Sequence, residues 1–351
     1  MGKKRALEHF KTITDKEMKI LTTVTYKYNF QLISAEKVGN GYEIVTDKGN
    51  FCLKRTKHGR NKAKNGYLLT EELLLNKFTN IAKYFRPKDG AFYVSHKKYI
   101  FYLTQWLGGT ECDLNNIDEV VNCTKLLAEF HKVSNEIGRD KVHIRNNSMN
   151  LPRIFARDLN DIEKFNRIII GKRVKNEFDI LFLENAETFY NRGMLAVNML
   201  MKSEYYKVAK IAKDKRIICY NSLYYKNIIK LDGEYFITDL DSIKIDLEIS
   251  DLGEFIRRLM FKKAYRWDFN IAKVLIEAYN SINRINKEDL EIMIATIIFP
   301  HKFLELGKKR FTKQKKWSET KYLHKLNKII SFDEMEEVFL RDYLIYFEDY
   351  F

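Results

Sequence analysis

Apolar and polar positions follow two different periods along this chain. Up to about residue 105 they come in short, strand-like runs, and from about Asp113 they recur every three and four residues, as in amphipathic helices. After an opening helix, "AEKVGNGYEIVTDKGNFCLKR" predicts three short strands, bent at Gly39 to Gly41 and turned tightly at Asp47-Lys48-Gly49, with Lys54 closing the third. "NGYLLTEELLLNKF" has helical spacing, and "YVSHKKYIFYLTQWL" predicts two further strands around a His-Lys-Lys turn. Beyond the glycine pair Gly108-Gly109, "IDEVVNCTKLLAEFHKVSNEI", "NEFDILFLENAETFYNRGMLAVNMLMKS", "DFNIAKVLIEAYNSI" and "DLEIMIATIIF" read as long amphipathic helices. The pattern predicts an α+β protein in two lobes. A small antiparallel β lobe occupies residues 1–105 and a larger helical lobe residues 106–351, with a hinge near Gln105 to Gly109.

One predicted hairpin interrupts the helical half. "IIKL" and "YFIT" flank Asp232-Gly233, a favoured two-residue turn, so the chain runs out and comes straight back. Asn227 and Asp239 lie almost symmetrically about that turn, which predicts α-carbons roughly 5 Å apart at its open end. An amide oxygen and a carboxylate then converge, and Asp241 faces the same way if the strand continues. Hard oxygen donors of this kind suit Mg²⁺, which keeps water and substrate phosphates in its shell. Asn and Asp at a hairpin base also serve as plain turn formers. The upstream lysine tips the balance toward chemistry. Lys54 closes a Gly-bearing meander and precedes a helix carrying Glu71 and Glu72, either of which is a candidate partner for it. A lysine so held can grip the α- and β-phosphates of a nucleotide beneath the meander.

Composition narrows the setting. With 351 residues, 45% of them apolar and 14% aromatic, the chain can bury sizeable cores, and only 3 prolines leave no Pro-rich linker. Cys52, Cys112, Cys123 and Cys219 form no CxxC pair, which suits reduced, buried thiols in a cytosolic protein. "MGKKRALEHF" lacks the apolar stretch of a secretory signal, and Ala6 stands where N-myristoylation wants Ser or Thr. The longest apolar run, "IMIATIIF", is too short to span a bilayer, so no membrane span is predicted. A net charge of +15 favours anionic partners without choosing among them. The basic run from Lys308 to Lys316 reads as a solvated helix face, because no nucleic-acid-binding module accompanies it. A nucleic-acid partner is therefore not expected.

At this point the order of features resembles a known family. A strand lobe with Lys54, a hinge, a helical lobe and then "CYNSLYYKN" and "ITDLD" look like the aminoglycoside phosphotransferase branch of the protein-kinase-like fold. Within it the chain is most similar to the CotS family of bacterial spore-coat proteins, through "DKGNFCLKR", "LTQWLGGTECDL", "LLAEFHKVS", "TDLDSIKIDLEISDLGEFIRRLM" and "FPHKFLELGKK". The resemblance implies ATP and Mg²⁺ as cofactors. Lys54 would hold nucleotide phosphates with Glu71 or Glu72 as its partner, Asn227 and Asp239 would bind the metal with Asp241 beside them, and Leu103 to Leu107 would meet the adenine. It also implies synthesis in the cytoplasm of the mother cell of a sporulating bacterium, a place in the spore coat, and other coat proteins as partners.

One position departs from the family pattern. Active members of the wider fold carry His-x-Asp where this chain has Tyr220, Asn221 and Ser222. The Asp of that motif orients the acceptor hydroxyl and takes its proton, and Ser222 is uncharged and a poor proton acceptor near neutral pH. Losing a positioned general base costs about 10²- to 10⁴-fold. Phosphoryl transfer depends mainly on positioning and charge neutralisation, so the change predicts an impaired or inactive kinase fold. The alternative is an active phosphotransferase acting on a small-molecule hydroxyl. Elsewhere, Asp251 reads as a helix N-cap with Glu254 completing a capping box, and His131, Trp106 and Trp317 read as packing residues.

Overall fold

The computed structural model describes residues 13–39, 41–138, 142–144, 150–221 and 223–350. The expectations for the first ten residues and for Ser222 lie outside the described residues. In chain order the elements are α1 (Asp15–Tyr26), β1 (Leu32–Val38), β2 (Gly41–Thr46), β3 (Gly49–Thr56), α2 (Arg60–Leu75), β4 (Tyr84–Phe85), β5 (Val94–His96), β6 (Tyr99–Gln105), β7 (Thr110–Glu111) and α3 (Ile117–Ser134). They continue with α4 (Leu151–Ile170), α5 (Glu177–Lys202), α6 (Tyr205–Lys215), β8 (Ile218–Cys219), β9 (Ile228–Leu231), β10 (Glu234–Ile237) and β11 (Lys244–Ile245). Six α-helices complete the described residues: α7 (Glu248–Met260), α8 (Phe269–Asn280), α9 (Lys287–Ile298), α10 (His301–Gly307), α11 (Glu319–Ile330) and α12 (Asp333–Tyr350). Contacts divide the chain into one compact unit of residues 1–145 and 220–244 and another of 146–219 and 245–351. Helix α3 and the β9–β10 hairpin thus group with the N-terminal sheet, whereas the sequence boundary near residue 105 follows the change of hydrophobic period.

The first unit is built on an antiparallel sheet of order β1-β2-β3-β6-β4, with β5 also pairing β6. The predicted meander is present: Asp47 and Lys48 turn between Thr46 and Gly49, and His96 faces Tyr99 across the Lys97-Lys98 turn. Helix α1 covers one face of this sheet through Leu21 and Val24, which pack with Tyr42, Ile44, Leu53 and Leu103. Thr14 and Glu17 cap it reciprocally. Helix α2 starts five residues earlier than its apolar spacing indicates, at Arg60, and takes in part of the basic run. Its buried stripe is Ala63, Gly66, Leu69, Thr70 and Leu73. Gly66 has no room for a Cβ, which would stand 2.6 Å from the Tyr84 ring.

A second sheet of order β10-β9-β7 belongs to the same unit. Asp232 and Gly233 both have positive φ, 51° and 86°, the conformation the favoured two-residue hairpin turn requires. The hairpin is tied to the segment before β4, since Ala82 N–H donates to Ile237 O at 2.8 Å and Ile237 N–H to Asn80 O at 2.9 Å. Gly109 lets β7 approach β9: a Cβ there would lie 2.1 Å from Lys230 O, a backbone atom that cannot yield. Gly109→Ala is therefore expected to push this edge apart and destabilise the protein by about 2–3 kcal/mol. A lower midpoint in urea unfolding would register it, and an unchanged midpoint would contradict the close approach.

The second unit is helical. Gly193 on α5 meets Leu159 on α4 so closely that a Cβ would lie 2.3 Å from Leu159 Cδ2. Phe182 stacks on Phe303 with ring centroids 4.2 Å apart, joining α5 to α10. Buried Arg192 binds α12 through Glu336 and Asp333, each at 2.6 Å. Burial pushes the Glu336 carboxyl up to about 7, against the pull of Arg192. In the basic run, Lys308 pairs with Asp158 at 3.1 Å and Arg310 with Glu319 at 2.6 Å, and Lys309 pairs with Glu305. Asp251 is not an N-cap: α7 begins at Glu248 after Leu247, and Asp251 is buried inside the first turn. The helix starts one turn earlier because Asp246 and Leu247 end the preceding segment, with Leu247 extended at the cap. No helix among the described residues is long and apolar enough to cross a membrane.

Candidate functional site

Strand register places the centre of the site. Lys54 on β3 faces Gly41 on β2 and Tyr102 on β6, so glycine, lysine and tyrosine form one row across the sheet. Gly41 allows β2 to lie close against the β3 backbone beside Lys54, where a Cβ would stand 2.8 Å from Leu53 O. A cavity of about 460 Å³ opens there, lined by these three residues and by Asn227, Asp239 and Asp241. Thr104, Gln105, Trp106 and Leu107 supply another wall. Of the segment expected to meet an adenine, Leu103 does not line the cavity and is fully buried in the sheet core.

The hairpin delivers its donors differently from the simple expectation. Leu231 faces Glu234, so the pairing continues through Ile228 and Ile237, and Thr238 N–H donates to Asn227 O at 3.0 Å. Asn227 is thus opposite Thr238, and Asp239 lies one residue further along. Nor does β10 continue to Asp241. The chain turns after Ile237, with the Asp241 N–H donating to Asp239 Oδ1 at 2.8 Å. This aspartate turn brings the two carboxylates together where an extended strand would have spaced them.

Lys54 finds its partner here and not on α2. Its Nζ lies 2.8 Å from Asp239 Oδ2. Glu71 is exposed, Glu72 is half-buried, and neither is in ion-pair contact with Lys54. The helix phase contributes: the face of α2 turned inward carries Asn65, Gly66, Leu69, Thr70 and Leu73, which leaves Glu71 pointing outward and Glu72 at the edge of that face. Burial alone would lower the Lys54 pKa, but the charges of Asp239 and Asp241 outweigh it and hold the ammonium above its ordinary value.

Tyr102 and Tyr84 are the residues that sequence spacing does not reveal. The Tyr102 hydroxyl donates to Asp241 Oδ1, and its ring stacks parallel on Tyr84 with centroids 5.9 Å apart. Tyr84 in turn accepts the Leu240 N–H at 3.3 Å, so the two tyrosines hold both sides of the carboxylate turn. Burial pushes both phenols well above their usual range, keeping both protonated. The only available signal was an aromatic residue in the strand predicted after the His-Lys-Lys turn, and its register with Lys54 is a long-range fact.

Burial also raises the Asp241 carboxyl above the usual carboxylate range, with Lys54 opposing and Asp239 adding to the shift. Its other oxygen has no hydrogen-bond partner among the described residues. Asp239, Asp241 and Asn227 bring two carboxylates and an amide oxygen to the side of the cavity that holds Lys54, a donor set that fits a hard divalent cation, and Glu111, Arg55 and Lys226 also line the cavity. Because the folded state holds the Asp241 proton more tightly than the unfolded chain, this contribution to stability is full below about pH 4 and is lost as pH rises through the raised value. Asp241→Asn is expected to melt higher than the wild type at pH 7 without metal, with the gap closing toward about pH 4. Thermal melts across that range check it, and equal midpoints at pH 7 would contradict the cost of the buried charge.

With this geometry in place, comparison with known proteins decides the family. The sequence description of the family "Spore coat putative kinase YutH" matches residues 22–343. The chain belongs to this spore coat kinase family. It is 25% identical over 333 residues to spore coat protein S of Bacillus subtilis (strain 168), covering 92% of this chain and 93% of that protein. Its fold is that of the aminoglycoside phosphotransferases. The phosphotransferase of Alicyclobacillus acidocaldarius superposes with a TM-score of 0.82 at 17% identity, over 93% of this chain and 96% of that one. A spectinomycin phosphotransferase in complex with ADP and spectinomycin gives a TM-score of 0.60 at 12% identity, over 94% and 99%. The expected resemblance to coat proteins of the kinase-like fold is thereby established for this spore coat family member.

Proposed function

We propose that this protein binds ATP with Mg²⁺ in the Lys54 cavity, transfers phosphate poorly or not at all, and serves in the spore coat as a binding or assembly component. One observation carries the reading: Lys54 and Asp239 meet at 2.8 Å inside a cavity that also holds Asn227 and Asp241. Lys54 would contact the nucleotide phosphates, and Asp239, Asp241 and Asn227 would hold the cation. When bound, Mg²⁺ neutralises charge between the phosphates. Tyr102 fixes the Asp241 carboxylate through its hydroxyl, and Thr104 to Leu107 line the side where a base would lie. The spectinomycin phosphotransferase of the same fold was solved with ADP, which supports a nucleotide ligand. Spore coat protein S supports the location, and coat proteins are the corresponding partners.

Ser222 supports the impaired half, since no carboxylate stands at the position of the general base. A second reading is an active phosphotransferase of a small-molecule hydroxyl. The raised Asp241 carboxyl favours it, as a carboxylate with increased basicity inside the cavity. Hydrolysis and transfer of γ-labelled ATP under single-turnover conditions separate the two. The proposal expects rates at least about 10²-fold below the roughly 1–100 s⁻¹ of ordinary kinases. Ordinary rates, abolished by Asp239→Ala, would overturn it. The coat role predicts the protein on purified spores, and its absence from them would count against that role.

A further inference from the structure

Two thiols lie together beside the cavity, and nothing in the proposed function uses them. Cys112 directly follows β7, and its N–H donates to Ile228 O at 3.2 Å. Cys123 lies on α3. Both side chains are buried, 3% and 0% exposed, and their Sγ atoms are 3.0 Å apart. That is closer than non-bonded sulfurs ordinarily pack, and about 1 Å longer than the bond they would form. All four cysteines are free thiols.

We propose that Cys112 and Cys123 are a modification site, closing to an intramolecular disulfide by exchange with an external disulfide. Cys112 lies between exposed Glu111 and Asp113, so a small shift of this turn uncovers its sulfur, whereas Cys123 is enclosed within the helix. The Cys112 thiolate attacks the external disulfide, forming a mixed disulfide and releasing one thiol. Cys123 then attacks the Cys112 sulfur and releases the second thiol. The two protein thiols lose two protons and two electrons, and the external disulfide gains both as two thiols. The hydrogen bond with Cys112, together with burial, pushes the Cys123 thiol far above its usual range, which fits its role as the second to react.

The location gives the bond a consequence. Glu111 lines the nucleotide cavity and pairs with Ile229, another lining residue. A disulfide one residue later clips this wall to α3. The pair stays reduced in a glutathione-rich cytosol and closes where the surroundings are oxidising. The inference rests on the position of the sulfurs and stands independently of nucleotide binding.

The full chain is equilibrated with graded ratios of oxidised to reduced glutathione, quenched, alkylated after denaturation and mapped by peptide mass. The expected result is joint loss of the Cys112 and Cys123 thiols, a cross-linked peptide containing both, and a melting temperature higher by on the order of 5 °C. Cys123→Ala is expected to lose the cross-link and the rise, and to carry glutathione on Cys112. Should that variant not fold, the wild-type map decides alone. Alkylation of both thiols at the most oxidising ratio, pairing with Cys52 or Cys219, or a lower melting temperature on oxidation would each overturn the proposal.

Discussion

Asp239→Ala is expected to abolish the rise in melting temperature that the proposed binding of ATP with Mg²⁺ predicts for the wild-type protein. Two losses coincide at this residue. The cation loses a carboxylate, and Lys54 loses the partner that lies 2.8 Å away. Saturation at a hundred times the dissociation constant stabilises a protein by about 2.7 kcal/mol, and an affinity weakened on the order of a hundredfold reduces this nearly to nothing. Without ligand the variant is also expected to be less stable by about 2 kcal/mol. Removing one partner of a buried pair costs more, but these side chains are 17% and 27% exposed and water screens part of the effect. Lys54→Met is expected to lose the nucleotide response too, through the phosphates and not the metal. A Mg²⁺-dependent nucleotide shift that survives Asp239→Ala would remove the residue from the site.

Ser222→Asp is expected to raise the rate of phosphoryl transfer or ATP hydrolysis by about 10²-fold or more, while leaving nucleotide affinity within a factor of a few. The separation follows from the chemistry. On the proposed reading affinity rests on Lys54, Asp239 and Asp241, which line the cavity, whereas the missing carboxylate would serve the hydroxyl or water that attacks. Steady-state release of phosphate at saturating ATP is the measurement. An unchanged rate would place the defect elsewhere, and a wild type already turning over like an ordinary kinase would make the loss of that Asp irrelevant.

What was legible in the sequence was local. The meander ending at Lys54 and the hairpin at Asp232-Gly233 are short-range patterns, set by alternation over a few residues and by a turn whose φ values only some residues tolerate. What escaped depends on pairings between distant segments. Lys54 and Tyr102 become neighbours through the β3–β6 register, and no spacing along the chain predicts a strand pair across the intervening helix. That Lys54 pairs with Asp239 and not with Glu71 or Glu72 has a related reason. Sequence indicates that a helix follows the lysine, but its rotational phase is decided by Gly66 and Leu69 packing inward. The hairpin register was missed by a single residue, and Asp241 arrived by a turn closed on Asp239, not by strand alternation. Lys54, Asn227, Asp239 and Asp241 do line one cavity, but the contacts that organise them were not legible in the sequence.

The most direct test of the central claim is equilibrium dialysis of labelled ATP against the full chain, with Mg²⁺ and then with chelator. One saturable site per chain, competed by ADP and weakened at least about tenfold on removing the cation, is the predicted result. Absence of saturable binding at millimolar ATP with Mg²⁺ would contradict it, leaving a phosphotransferase fold whose lysine and aspartates serve only each other.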